Sequence, residues 1–213
     1  MKSVLVSAFV ILLAGAASPA SAQSGDPVAG KDYIEIPNGT PPDPTSKQVV
    51  VEEFFNYICP ACFGFEPLLL SWTASLPPYA KLVHVPATFR ADFMQYARAY
   101  YAAEALGLAD KTHADVYQAI HVSHKLPAEG DKLDEDKIAG FYAGYGVDKA
   151  QFLSTMKSFG VETKVRRATE RMQRSRVPST PSLVVNGRYL VRGESSQDML
   201  RIASYLIEKE HSK

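Results

Sequence analysis

The sequence predicts an α/β fold: a central mixed sheet flanked by helices, with an all-helical subdomain inserted between its two halves. Three observations carry this reading. Strand-like runs fall in two groups, one before about residue 90 and one after about residue 176, with helical periodicity between them. A Cys59-Pro60-Ala61-Cys62 motif, holding both cysteines of the chain, stands where the first buried strand run gives way to a helical one. Finally, Asn186-Gly187 separates two short strand-like runs, the residue pair that a type I′ hairpin demands.

In chain order, residues 1–22 read as a signal peptide. Lys2 supplies a positive start, Val4 to Ala17 is apolar but short for a bilayer span, and Ala20-Ser21-Ala22 has the small-x-small form of a cleavage site. Cleavage is expected after about Ala22. With no cysteine near that site, no lipid anchor is expected, and the mature chain should be soluble and exported. Residues 23–47, rich in Pro, Gly, Asp and Thr, form an N-terminal arm, with a candidate edge strand where Asp32 to Ile36 alternates polar and apolar.

Residues 48–89 make the first half of the sheet domain. Gln48 to Asn56 is almost continuously β-branched and aromatic, as a buried central strand should be, and only the glutamates interrupt it. A carboxylate in such a strand is costly unless it has a partner or a task. From Pro60 to Leu76 the pattern turns helical. Pro60 suits a first turn, where its missing N–H would be unpaired anyway, and Phe65, Leu68, Leu69 and Trp72 form an apolar stripe. Pro67 should kink this helix and Pro77-Pro78 should end it. Leu82 to Val85 reads as the next strand.

Residues 90–176 form the helical insertion. Asp92–Leu108, Thr112–His124, Asp134–Tyr142, Asp148–Phe159 and Val161–Arg174 carry helical spacing, with Gly144, Gly146 and Gly160 as separators. Tyr96, Tyr100 and Tyr101 are expected in its core. The basic residues Lys164, Arg166, Arg167, Arg171, Arg174 and Arg176 read as a solvated face, with partner contact as the alternative. Residues 177–213 complete the sheet domain with strands Ser182–Val185 and Arg188–Val191, then a helix capped at Ser195 by a Ser-x-x-Asp pattern.

Charge narrows the function. The 23 Lys and Arg balance 23 Asp and Glu, so no broad positive field exists to bind nucleic acid. An exported chain meets oxidising surroundings, where two cysteines should spend time as a disulfide. A purely structural bridge is a weak reading, because closing so short a loop removes little unfolded-state entropy. Zinc is also weak: it needs two further ligands, no second C-x-x-C exists, and His113, His121 and His124 lie in the helical block. What remains is redox chemistry. Cys59 falls at a helix N-terminus, whose unpaired N–H groups favour a thiolate. A stabilised thiolate leaves easily, so a Cys59–Cys62 disulfide should be open to attack at Cys59.

Two segments, Val51-Glu52-Glu53-Phe54-Phe55-Asn56-Tyr57-Ile58-Cys59-Pro60-Ala61-Cys62 and Thr180-Pro181-Ser182-Leu183-Val184-Val185-Asn186-Gly187-Arg188-Tyr189, occur in order about 120 residues apart. In these the chain closely resembles the DsbA-type periplasmic thiol:disulfide oxidoreductases of the thioredoxin superfamily. The resemblance implies a thioredoxin fold with a helical insert and no cofactor. It further implies that Glu53 is a buried carboxylate moving protons beside Cys62, with Glu52 as the competing inward residue. Pro181 would be a cis-proline facing the disulfide, with Pro178 as competitor, and Pro60, Ala61, Thr180 and Pro181 would meet the substrate. The family also places a lysine near the carboxylate; here the aligned strand position is Leu82, beside Lys81. His84 reads as a satisfied core histidine with some chance of influence on the site.

The implied activity is that of a monomeric periplasmic dithiol oxidase. It would pass its disulfide to newly exported cysteine-containing chains and be reoxidised by a membrane-bound DsbB-type partner. Family oxidases most often carry His at Ala61 and Val at Thr180, and losing the His should lower the redox potential. Reductase or isomerase activity is therefore the main alternative, supported by Thr180. A non-redox, chaperone-like binder and a glutathione-conjugating enzyme on a related fold are the others.

Overall fold

The computed structural model describes residues 25–213, so the signal-peptide reading lies outside the described residues. Elements run β1 (Tyr33–Glu35), β2 (Val49–Phe55), α1 (Pro60–Ala74), β3 (Ala80–Pro86), α2 (Ala91–Ala105) and α3 (Ala109–His121). They continue with α4 (Glu135–Ala143), α5 (Lys149–Met156), α6 (Phe159–Arg174), β4 (Ser182–Val185), β5 (Tyr189–Val191) and α7 (Ser196–His211). The strands make one mixed sheet in the order β1-β5-β4-β2-β3. β2 runs parallel to β3 and antiparallel to β4, and the hairpin partners β4 and β5 are antiparallel. Five helices, α2 to α6, separate β3 from β4 in the chain, as the sequence leads one to expect. Among the described residues no helix is long and apolar enough to cross a membrane.

The hydrophobic residues sort onto the two faces of the sheet. Val49 and Val51 of β2, with Leu183 and Val185 of β4, pack on Phe65 and Leu69 of α1 and on Ile202, Ala203, Leu206 and Ile207 of α7. Phe54 and Val184 belong instead to the cluster shared with the inserted helices, where Tyr96, Tyr100 and Tyr101 are all buried. Alternation along β2 then settles its two carboxylates onto opposite faces. Glu53 shares the α1 face with Val49 and Val51, while Glu52 turns toward α6. Each fully buried Leu or Phe in these layers stabilises the fold by roughly 1.5–3 kcal/mol.

Glu53 is buried as expected, and its competitor Glu52 is buried as well. Glu52 survives there because Arg171 of α6 reaches it at 3.0 Å. Burial raises the Glu52 carboxyl above its ordinary range, and the nearby charges of Arg171 and Arg174 oppose that rise. The basic helix is therefore not wholly a solvated face.

The turn after β4 has the chemistry its sequence promised. Asn186 and Gly187 both take positive φ, 52° and 63°, and the Arg188 N–H closes the turn on the Val185 carbonyl at 3.0 Å. Gly187 is required twice over, since a Cβ there would lie 2.1 Å from the Thr40 carbonyl of the N-terminal arm. That contact docks the arm beside the sheet. The Ser195 hydroxyl caps α7, accepting the Asp198 N–H at 3.1 Å.

Candidate active site

β2 delivers the chain into the middle of the molecule, and Asn56 holds the bend that follows. Its side-chain amide donates to the carbonyls of Ala87 and Phe93 at 3.0 and 3.1 Å, fixing the link between sheet and insertion. Cys59 then becomes the N-cap of α1, with extended backbone (φ −80°, ψ 114°), and Pro60 takes the first helical position. A sulfur in place of the usual cap oxygen accepts the Cys62 N–H at 3.4 Å. As a thiol, Cys59 donates to the Thr180 carbonyl at 3.4 Å. The Thr180–Pro181 peptide is cis, the one cis bond among the described residues, so Pro178 is not the cis-proline. Residues 121 positions apart in sequence thus meet at one sulfur.

The two thiols differ sharply. Cys59 is 7% exposed, Cys62 wholly buried, and Pro60 and Ala61 between them face solvent. The Cys59 thiol is lowered from 9.0 to about 6, chiefly by the Cys62 thiol donating a hydrogen bond to it. Burial opposes this, and Thr180 and the N–H groups of Cys62 and Ala61 assist. Cys62 is driven far upward by burial, by its hydrogen bond to Cys59, and by the charges of Cys59 and Glu53. One sulfur is held ready as an anion; its neighbour is held as a thiol.

Glu53 lies behind this pair, and its partner corrects the expectation of Leu82 or Lys81. In the parallel register Glu53 stands opposite His84, whose Nδ1 lies 2.7 Å from the Glu53 Oε2. Leu82 stands opposite Val51 instead. His84 is thus more than a satisfied core residue: its ring centroid is 4.6 Å from that of His113 on α3. His113 shares a hydrogen bond of 3.0 Å with the buried Tyr57 hydroxyl, and its Nε2 is 3.6 Å from Oε1 of Glu66, one turn beyond Cys62 on α1.

The sequence reading allows His84 an influence on the site, but the role of His113 is invisible to a reading that assigns it, with His121 and His124, to a remote helical block. The signal that could have found it is the spacing of His113, Tyr117 and His121, four residues apart, which sets all three on one face of α3. That face looks at the site. His121 Nε2 lies 2.8 Å from the Tyr57 carbonyl, and its ring stacks on Phe63 at 4.9 Å. Among the described residues no group of three or more His, Cys, Asp or Glu is placed to hold a metal ion.

Comparison with known proteins agrees with this geometry. The profile of a DSBA-like thioredoxin domain matches residues 69–203. The thiol:disulfide interchange protein DsbA of Pseudomonas aeruginosa is 35% identical over 195 residues, covering 90% of each chain. That of Pseudomonas syringae pv. tomato is 32% identical over 216 residues, covering 100% of this chain and 97% of its own. Among solved structures, the oxidoreductase DsbA from Xylella fastidiosa superposes with a TM-score of 0.84 at 38% identity, over 88% of this chain and 99% of its own. A cysteine-capped helix facing a cis-proline, in a sheet split by five helices, with relatives of this extent, places the chain in the DsbA family of thioredoxin-fold proteins.

Proposed function

We propose that the chain is a periplasmic thiol:disulfide oxidoreductase that donates a Cys59–Cys62 disulfide to newly exported proteins during oxidative folding. The observation that carries this is the opposed state of the two sulfurs, Cys59 brought to about 6 while Cys62 is pushed up. A disulfide between such partners is readily given away, because breaking it leaves Cys59 in a comfortable anionic state.

In the reaction, a substrate thiolate attacks the Cys59 sulfur, the bond to Cys62 breaks, and its electron pair goes to Cys62. Cys62, buried and unsuited to negative charge, takes a proton, for which the candidate acid–base group is Glu53, the buried carboxyl whose charge bears on Cys62. A second substrate thiolate then attacks the substrate sulfur of the mixed disulfide, and Cys59 leaves as a thiolate. The substrate has lost two electrons and gained its disulfide; the enzyme is reduced. Thr180 and Pro181, against Cys59, and the exposed Pro60 and Ala61 would contact the incoming peptide. No bound cofactor enters these steps.

In this reading the enzyme is exported after cleavage near Ala22 and works as a monomer. A membrane-bound DsbB-type partner reoxidises it. Residues 48–89 and 177–213 act as halves of the thioredoxin-like domain around the insertion at 90–176. A reductive or isomerising role is the second reading, because Ala61 offers no side-chain donor to the Cys59 anion. Oxidative refolding of a reduced, multi-cysteine substrate, set beside insulin reduction, separates the two. Faster refolding with little insulin reduction is expected. Dominant insulin reduction would overturn the oxidase direction, and full activity of Cys59→Ser would overturn redox chemistry in favour of a chaperone-like binder.

A further inference from the structure

Four titratable side chains from four elements form a continuous array behind Cys62: Glu53 on β2, His84 on β3, His113 on α3 and Glu66 on α1. Glu53 is fully buried; one carboxylate oxygen meets His84, and the other, Oε1, has no hydrogen-bond partner. Both oxygens of Glu66 and Nε2 of His113 are likewise buried without hydrogen bonds. Leaving so many polar atoms unsatisfied costs stability, and a purely structural cluster would have no reason to retain them. The side chain of His84, by contrast, is 23% exposed, which makes it the most open member of the array.

We infer that His84 is the outlet of a buried proton path serving Cys62: protons reach and leave Glu53 through its imidazole, which His113 and Glu66 hold in position. The inference rests on the exchange chemistry proposed above and names the route by which that chemistry meets solvent. When the disulfide opens, Cys62 receives the electron pair of the broken bond and a proton from Glu53. Glu53 is reprotonated by the His84 imidazolium, and the imidazole is recharged by water. In the opposite direction the Cys62 thiol gives its proton to Glu53, which passes it to His84. The Cys62 thiolate then attacks the Cys59 sulfur of a mixed disulfide, and the outside thiolate leaves with the electron pair.

The groups around His84 suit it to this task. Glu53 faces it from β2, Glu66 from α1, and His113 with Asp110 from α3, while Phe55 packs on its ring at 5.5 Å and Tyr100 of α2 backs Phe55. Burial alone would lower the imidazole. The hydrogen bond and charge of Glu53, then the charges of Glu66 and Asp110, outweigh it and raise His84 above 6.5. An imidazole can hold or release a proton where a fixed charge cannot, as a reversible relay must. His84 touches neither sulfur in this scheme, so it acts as a positioning and relay residue through Glu53.

The decisive measurement is the first-order step in which Cys62 expels glutathione from a mixed disulfide on Cys59, followed from about pH 5 to about pH 8.5. Wild type, His84→Gln, His84→Ala and Glu53→Gln are compared, with the Cys59 titration as a check on the site's integrity. We expect His84→Gln to slow the step by about tenfold or more and to lose an inflection near neutral pH. Added imidazole should restore the rate of His84→Ala. A slow His84→Ala that imidazole fails to rescue would overturn the relay in favour of a packing role. Wild-type rate and profile in His84→Gln, with Glu53→Gln slow, would overturn the outlet and leave the role of Glu53 standing. Were Glu53→Gln also unaffected, the proton role proposed for Glu53 would fall with it.

Discussion

Replacing Cys62 by Ala tests the electrostatics of Cys59 where their largest contribution arises. The Cys59 thiol stands at about 6 instead of 9.0, first because the Cys62 thiol donates to it, and in spite of burial. A hydrogen bond to a charged group is worth about 1.5–3 kcal/mol, and a tenfold change in an acid constant corresponds to about 1.4 kcal/mol. Removing the donor should therefore carry Cys59 upward by about one to two pH units, to between about 7 and 8. It should not return to 9.0, because the Cys62 N–H, 3.4 Å from the sulfur, survives the substitution. Cys62→Ser keeps a hydroxyl donor at the same place and should stay closer to wild type. Thiolate absorbance near about 240 nm, followed as pH is raised on the reduced protein, reads this directly. Wild type should show a single ionisation in the accessible range, since Cys62 is driven out of it. If Cys62→Ala still ionises at about 6, the helix N-terminus and its amides hold the anion unaided and the argument from the paired thiol is wrong. A wild-type midpoint near 9 would remove the ground for calling Cys59 a good leaving group.

Three further outcomes follow from the same structure. The folded-state value of Cys59 lies below that of an unfolded thiol, so the stability it lends the reduced protein is complete above about 9 and lost as pH falls through about 6. Near pH 7 it should amount to about 1.4 kcal/mol and near pH 5 to almost nothing; urea unfolding of the reduced protein at both pH values measures it, and no difference beyond that of the oxidised form would refute it. Ala61→His places a hydrogen-bond donor at the exposed start of α1, and should lower Cys59 further and raise the redox potential in glutathione buffers. An unchanged or lower potential would show that the residue between the cysteines does not set direction here. Arg171→Ala strands the buried Glu52 carboxylate and should cost about 3 kcal/mol in unfolding free energy while leaving the Cys59 titration in place. A shift in that titration would mean that the two faces of the sheet are coupled.

Much of this was legible before any coordinates, because the relevant signals are local. A buried strand, then Cys-Pro-Ala-Cys, then a helical stripe is enough to place a sulfur at a helix N-terminus. Asn186-Gly187 dictates a turn through its φ angles alone. The final helix announces itself at Ser195 and Asp198. What escaped depends on tertiary register. Nothing in the sequence says that Glu53 lies opposite His84 and not beside Lys81; that follows from how β3 aligns with β2 in a parallel pair. Gly160, read as a separator, lies inside α6 because Ser158, whose hydroxyl accepts the Val161 N–H at 3.3 Å, caps the helix so that it begins two residues earlier than expected. The adjacent glutamates were treated as alternatives because strand neighbours face opposite sides; that two faces could each bury a carboxylate is visible only once α6 brings Arg171 across.

That pair of glutamates also shows how the insertion contributes to the chemistry. On one face, α6 meets Glu52 with a cation that is always charged, and the result is an ion pair with a structural task. On the other face, β3 meets Glu53 with the imidazole of His84, which can be charged or neutral, and α3 backs that ring with His113. Only the second arrangement lets a buried carboxyl change its protonation without leaving a lone charge in the core. The sulfur that must alternate between thiol and thiolate, Cys62, sits on the helix packed against that second face, and its energetics include the charge of Glu53. A lysine in place of His84 would set an ammonium, not an imidazole, beside the buried Glu53 carboxyl. Histidine can stand beside Glu53 either charged or neutral, which is the property the proposed relay requires.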